Sequence, residues 1–157
     1  MAKEHHYTLE ITWTGNTGSG TKDYKSYERS HEVKVKNKAN LACSSDPAFR
    51  GDQSKHNPED LLLASVSSCH MLWYLHLCTV NKINVLAYTD EPKGTMLENP
   101  DGSGQFTEIT LQPSITLENQ SMKAKADTLH AKANEMCFIA KSLNFKVHHK
   151  AKYDVGT

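Results

Sequence analysis

The chain has 157 residues, enough for one domain with a real core. Its 18 basic and 18 acidic residues cancel, so no electrostatic footprint for nucleic acid is visible. The opening MAKEHHYTLE lacks an apolar h-region, which argues against a secretory signal, and Cys43, Cys69, Cys78 and Cys137 form no C-x-x-C pair and no disulfide-stapled pattern. A reducing, cytoplasmic compartment is therefore expected.

Residues 6–14 alternate, with Leu9, Ile11 and Trp13 on one side and Thr8, Glu10 and Thr12 on the other, as in a half-buried strand. Gly15, Gly18 and Gly20 then read as a hairpin loop, since no following helix offers an N-terminus for a phosphate. Residues 27–38 predict a second strand with Val33 and Val35 inward, and residues 41–56 an irregular loop.

Residues 57–80 predict the dominant helix. Asn57 caps it, Pro58 suits its first position, and Glu59 and Asp60 complement its dipole. Asn57 with Asp60 comes close to a capping box. Apolar residues from Leu61 to Leu77 leave almost no polar face, the mark of a core helix or a membrane span. Ser65, Ser67, Ser68, Cys69 and His70 at mid-depth argue against a span and for a buried helix that carries chemistry.

Strands follow over 84–90 and 93–99, with a turn at Asn99-Pro100-Asp101-Gly102. Residues 106–117 alternate again, and Pro113 within them implies an edge or a bulge. Residues 121–143 predict an amphipathic helix with Cys137 on its buried face, and residues 145–155 a last strand. The order of elements makes a single α+β domain over 1–157, with a largely antiparallel sheet around a long buried helix. A helix apolar on every side needs more cover than one sheet and one helix supply, so a homodimer with residues 57–80 near the two-fold is expected.

A thiol buried in apolar surroundings is pushed toward its neutral form, and Cys69 lies too far from the helix start for the dipole to help it. A reactive Cys69 therefore needs a cation from elsewhere. The chain has only two arginines, Arg29 and Arg50, and arginine keeps its charge when desolvated. Glu59 is the obvious carboxylate to hold one. It stands roughly 15 Å from Cys69 along the helix and about 80° around it, so one arginine links them only by lying along the helix, or with Glu59 supplied by a partner. Cys78 points nearly opposite to Cys69, whereas Cys137 can meet it. Two buried thiols facing each other suggest a peroxidatic and a resolving cysteine that pass through a sulfenic acid to a disulfide.

Asn57-Pro58-Glu59, then Leu61, Leu62 and Ser68-Cys69 in a long apolar helix, with Cys137 late in a second helix before the last strand, resembles the OsmC/Ohr family of osmotically inducible and organic-hydroperoxide-resistance proteins. The resemblance covers nearly the whole chain. It implies an intertwined α+β homodimer that reduces organic hydroperoxides through two cysteines at the subunit interface, with a small dithiol or protein thiol as reductant. It implies that Arg29 activates Cys69 and that Glu59 orients Arg29. The Ohr branch typically has Pro after the second cysteine; here Phe138 follows Cys137, and His70 follows Cys69, as in a more divergent OsmC-like branch.

Plainer readings stand beside these. Cys43 and Cys78 read as core or loop cysteines without a role. Arg50 is the alternative activator or a surface charge. His70 is a weak general base beside Cys69, and otherwise a satisfied interface histidine. Trp73 and Met71 read as pocket wall or core. His5, His6, His148 and His149 have no ligand spacing with Cys69, so neither metal nor cofactor is expected. The competing functions are a redox-silent module binding a small apolar ligand, and a Cys–His acyl-transfer enzyme using Cys69 and His70.

Overall fold

The computed structural model describes residues 2–156. The chain forms two compact units that divide after Leu62.

In the first unit, β1 (Glu10–Trp13), β2 (His31–Lys34) and β3 (Leu41–Cys43) make an antiparallel sheet in that order. β3 corrects the expectation of a loop over 41–56; three residues are too few to show an alternating pattern. The apolar side expected to be covered in β1 is bare, with Ile11 and Trp13 exposed. Trp13 is held by its rim, its Nε1–H donating to Glu28 O at 2.9 Å. The glycine segment is a closed loop, with Asn16 Oδ1 accepting from the N–H groups of Gly18 and Gly20. A Cβ on Gly15 would stand 1.9 Å from Glu28 O, so only glycine lets the two backbones meet there.

Helix α1 (Pro58–Val80) starts at the expected cap. Asn57 Oδ1 accepts from Asp60 N–H at 2.7 Å, and Asp60 Oδ2 accepts from Asn57 N–H at 3.2 Å, a reciprocal pair that satisfies two end groups of the helix. By length and composition α1 could cross a membrane. Its polar middle is instead tied into the fold, Ser67 Oγ donating to Asp90 Oδ2 at 2.5 Å.

The second unit holds β4 (Val85–Asp90), β5 (Lys93–Glu98), β6 (Gly104–Leu111), β7 (Pro113–Leu117), α2 (Lys123–Met136), α3 (Phe138–Lys141), β8 (Val147–His149) and β9 (Lys152–Val155). The strands form two sheets, β4-β7-β9 and β5-β6-β8. Pairs β4·β7 and β5·β6 are antiparallel; β6·β8 and β7·β9 are parallel. Each of the two long strands expected over 106–117 and 145–155 is thus divided between sheets. The division falls at the same level in both: Gln112 N–H donates to Asp90 Oδ1 at 2.6 Å instead of a ladder partner, and Pro113 has no N–H to offer. Pro113 opens the central strand of its sheet rather than lying at an edge or bulge. A bulge does occur upstream, between the Thr95–Glu108 and Met96–Phe106 pairs, and it returns Phe106 to the face of Ile109 despite their odd spacing.

The core joins Tyr74 and Cys78 of α1 to Ile83, Ile115, Leu117, Ala126 and Ala133. Ile115 is fully buried at its centre. Ile115→Ala is expected to cost about 2–5 kcal/mol of unfolding free energy, read from the urea midpoint at constant slope. A loss well under 1 kcal/mol would mean that β7 is not part of the cooperative core.

Candidate active site

The fully buried residues of α1 are Val66, His70, Tyr74 and Cys78, one every four positions and so on a single stripe. The helix buries His70 and Tyr74 inside its own chain and leaves two apolar residues outside: Leu72 is 63% and Val80 59% exposed. Cys69 stands one residue off the stripe and is half-buried.

Cys137 comes from the other side. The helix expected over 121–143 breaks there: Cys137 has extended backbone (φ −69°, ψ 107°) between α2 and α3. Its Sγ accepts from Ala140 N–H at 3.4 Å, so the thiol caps the short α3. The two thiols meet. Cys137 is pushed up to about 11, first by burial and then by a hydrogen bond to Cys69 that holds its proton, against the opposing pull of the Ala140 and Ile139 N–H groups. Both thiols are free. Cys43 and Cys78 are buried elsewhere, and burial pushes both thiols up.

An aromatic surface flanks the pair. Trp73, one turn after Cys69, meets Phe138, the residue after Cys137, edge-on with ring centres 5.8 Å apart. Leu72, Trp73 and His76 line a cavity of about 270 Å³.

Next to the thiols lies a polar core. His70 Nε2 and His130 Nδ1 are 2.9 Å apart, joining α1 to α2, and both residues are buried. Tyr74 stacks on His130 at 4.1 Å, and His149 lies 5.2 Å from it. Burial first, and neighbouring imidazoles second, lower His70 to about 4 and His130 to about 3. His70 Nδ1 and His130 Nε2 are buried without a partner. His70 is therefore an internal histidine and not the satisfied interface residue expected. His130 was no candidate from the sequence, although its place among Ala126, Ala133 and Cys137 on the apolar face of α2 was the available signal. Among the described residues, no three His, Cys, Asp or Glu side chains are grouped to hold a metal ion.

Arg29 and Glu59 belong to the first unit. The Arg29 guanidinium donates to Tyr27 O at 2.6 Å and Tyr24 O at 2.8 Å, between the rings of Tyr24 and Tyr27 at 4.3 and 4.2 Å. Those bonds use two of its five N–H donors. Glu59 Oε2 is buried without a partner, and among the described residues no ion pair joins Glu59 to Arg29. Arg50 is exposed in a left-handed conformation (φ 64°) that ends a short 3₁₀ turn.

The histidine pair sets an acid limit on stability. The unfolded chain binds these two protons near pH 6.5 and the folded chain only near about 4 and 3, so the unfolded state holds more protons in between. Stability rises with pH across that window and is lost as pH falls from about 6.5 toward 3, each unit of difference being worth about 1.4 kcal/mol. Urea midpoints at pH 7, 6, 5 and 4 should decline steadily, and equal midpoints would mean the rings are not held neutral by the fold.

The OsmC-like protein family matches residues 51–152. No curated protein is significantly similar to the chain. Among solved structures, an OsmC-like protein of unknown function from Vibrio cholerae is 24% identical, with 95% of this chain and all of that one covered and a TM-score of 0.85. An organic hydroperoxide resistance protein from Elizabethkingia anophelis is 20% identical, covering 98% and 100%, with a TM-score of 0.68. One from Legionella pneumophila is 22% identical, covering 97% and 100%, with a TM-score of 0.67. These likenesses identify the α+β architecture, and with the match across the thiol-bearing helices they establish that the chain belongs to the OsmC-like family.

Proposed function

We propose that the protein is a cysteine-based reductase of organic hydroperoxides. The observation that carries this reading is the contact of two free thiols, Cys69 and Cys137, on separate elements of one unit. The Cys69 thiolate attacks the terminal peroxide oxygen, the O–O bond breaks, and the alkoxide leaves as an alcohol on gaining a proton. Cys69 becomes a sulfenic acid. The Cys137 sulfur then displaces its oxygen as water, forming a disulfide that a small dithiol or protein thiol reduces. A Cys137 that keeps its proton suits the second role, since it does not compete for the peroxide. Trp73 and Phe138 beside the thiols favour bulky alkyl groups over hydrogen peroxide. Organic hydroperoxide resistance is also what the names of two structural neighbours record.

Arg29 supplies the positive charge that stabilises the Cys69 thiolate, and Glu59 holds Arg29. The buried, unpartnered Glu59 oxygen supports this, because such an atom costs about 1–3 kcal/mol or more until a donor reaches it. A homodimer is the natural source of that donor. The apolar residues left bare, among them Leu72, Val80 and Phe138, favour a second copy as their cover.

Treating the reduced protein with one equivalent of an alkyl hydroperoxide should remove two hydrogens and link Cys69 to Cys137, as read by peptide mass. Cys69→Ser should abolish peroxide consumption; Cys137→Ser should stop after one turnover with one added oxygen. Unreacted wild-type thiols would sink the proposal in favour of a redox-silent ligand-binding module. Arg29→Ala should slow peroxide loss at pH 7 by about tenfold or more and recover as pH rises, since a close cation is worth about 1–3 pK units to a thiolate. If Arg50→Ala shows that pattern instead, the activating charge has been assigned to the wrong arginine.

A further inference from the structure

Two polar contacts join α1 to α2 and its continuation: the thiol pair, and the His70–His130 hydrogen bond. On one side His70 directly follows Cys69. On the other, His130 lies within α2 and Cys137 ends that helix seven residues on, about 10 Å along its axis. The approach of Cys137 to Cys69 is thus set at the same crossing as the imidazole contact.

That contact has a single workable protonation state. A neutral imidazole has one N–H, so across 2.9 Å one ring donates and the other accepts. The accepting ring already carries its own N–H on its outer nitrogen, so an added proton goes to the outer nitrogen of the donating ring, His70 Nδ1 or His130 Nε2, where it makes a buried charge with no partner. A second would set two N–H groups head to head. Among the described residues, no carboxylate offsets either charge. From α1 the pair faces Tyr74, with Cys78 one turn on, and Tyr88 of β4 and Tyr153 of β9 stand beyond Tyr74; burial keeps all four protonated and neutral. From β8, His149 repels any charge on the pair. Asp127 of α2 acts on His149 and on the Tyr153 hydroxyl instead.

We propose that His70 and His130 are positioning residues for the thiol pair: their neutral hydrogen bond holds α2 at the spacing that keeps Cys137 on Cys69, and the spacing is lost when the rings are made apolar or charged. The inference rests on reading Cys69 and Cys137 as a working pair, but it does not need peroxide to be the oxidant. An apolar side chain of similar size fills the same volume without the bond, which separates positioning from mere packing.

Glutathione equilibration tests this without peroxide. Oxidised glutathione takes two electrons and two protons from the Cys69/Cys137 dithiol, leaving the protein disulfide and two reduced glutathiones. S–H bonds are equal in number on both sides, so apart from ionisation of Cys69, which wild type and the variants share, the balance is independent of pH unless another group is linked to it. In His130→Leu the effective concentration of the two thiols should fall about tenfold at pH 7, the scale of one lost hydrogen bond. His70→Gln with His130→Asn places an uncharged amide donor and acceptor at the same two positions, and should stay within about threefold of wild type. Between pH 7 and pH 4 wild type should lose about half or more of its effective concentration relative to the double variant, which carries the same Cys69 thiol but no titrating pair. A folded His130→Leu protein with the wild-type value overturns the proposal. So does a wild-type titration that runs parallel to the double variant's. Should His130→Leu fail to fold, the comparison of wild type with the double variant decides. A protein that passes here yet leaves hydroperoxide unconsumed refutes the hydroperoxide reading and keeps the positioning role; the opposite pattern does the reverse.

Discussion

The second unit depends on one constraint: α1 must bury polar groups in a core where water cannot reach them. A buried hydroxyl, imidazole or thiol is tolerable only with a partner, and unpartnered it costs about 1–3 kcal/mol. The partners come from the surrounding elements one by one. Asp90, at the end of β4, takes Ser67; His130 of α2 takes His70; Tyr153 of β9 meets the Tyr74 hydroxyl at 3.3 Å. The helix is located by these bonds as much as by apolar burial, which is non-directional and would leave its rotation free.

The same arithmetic explains the bare side of α1. A 23-residue helix that spends its buried stripe on His70, Tyr74 and Cys78 must turn leucines elsewhere. In one chain Leu72 remains exposed. Apolar surface of this kind, next to a thiol, suits both a second copy and an apolar substrate. Trp73 and Phe138 fit either role, since aromatic side chains bring large apolar area at low entropic cost.

The helix break at Cys137 matters as much as the residue. A cysteine inside a continuous helix would have its backbone N–H and C=O taken by the ladder, and its side chain would follow the helix face. At the break its sulfur becomes the acceptor that starts the next helix, and the thiol turns to Cys69. No proline enforces this; Phe138 occupies the first position of α3. The break is maintained by the contacts made on both sides of it, which is also why its geometry responds to how α2 lies on α1.

What the sequence by itself determined was local. The start of α1 was legible because a cap, a proline and two acids act within one turn. The faces of 106–117 were legible because alternation is a property of consecutive residues. That Cys69 and Cys137 lie on elements able to meet followed from helix periodicity, and the family followed from the two cysteine contexts. What only the tertiary structure decided involves groups far apart in the chain. His70 and His130 are 60 residues apart, and neither carries a mark of the other. At the transfer of 106–117 between sheets Asp90 reaches the N–H of Gln112, 22 residues away, and β3 forms on the edge that β2 offers it. Periodicity reports which face of an element is buried; which polar group waits there to accept a proton is set by the element that packs against it.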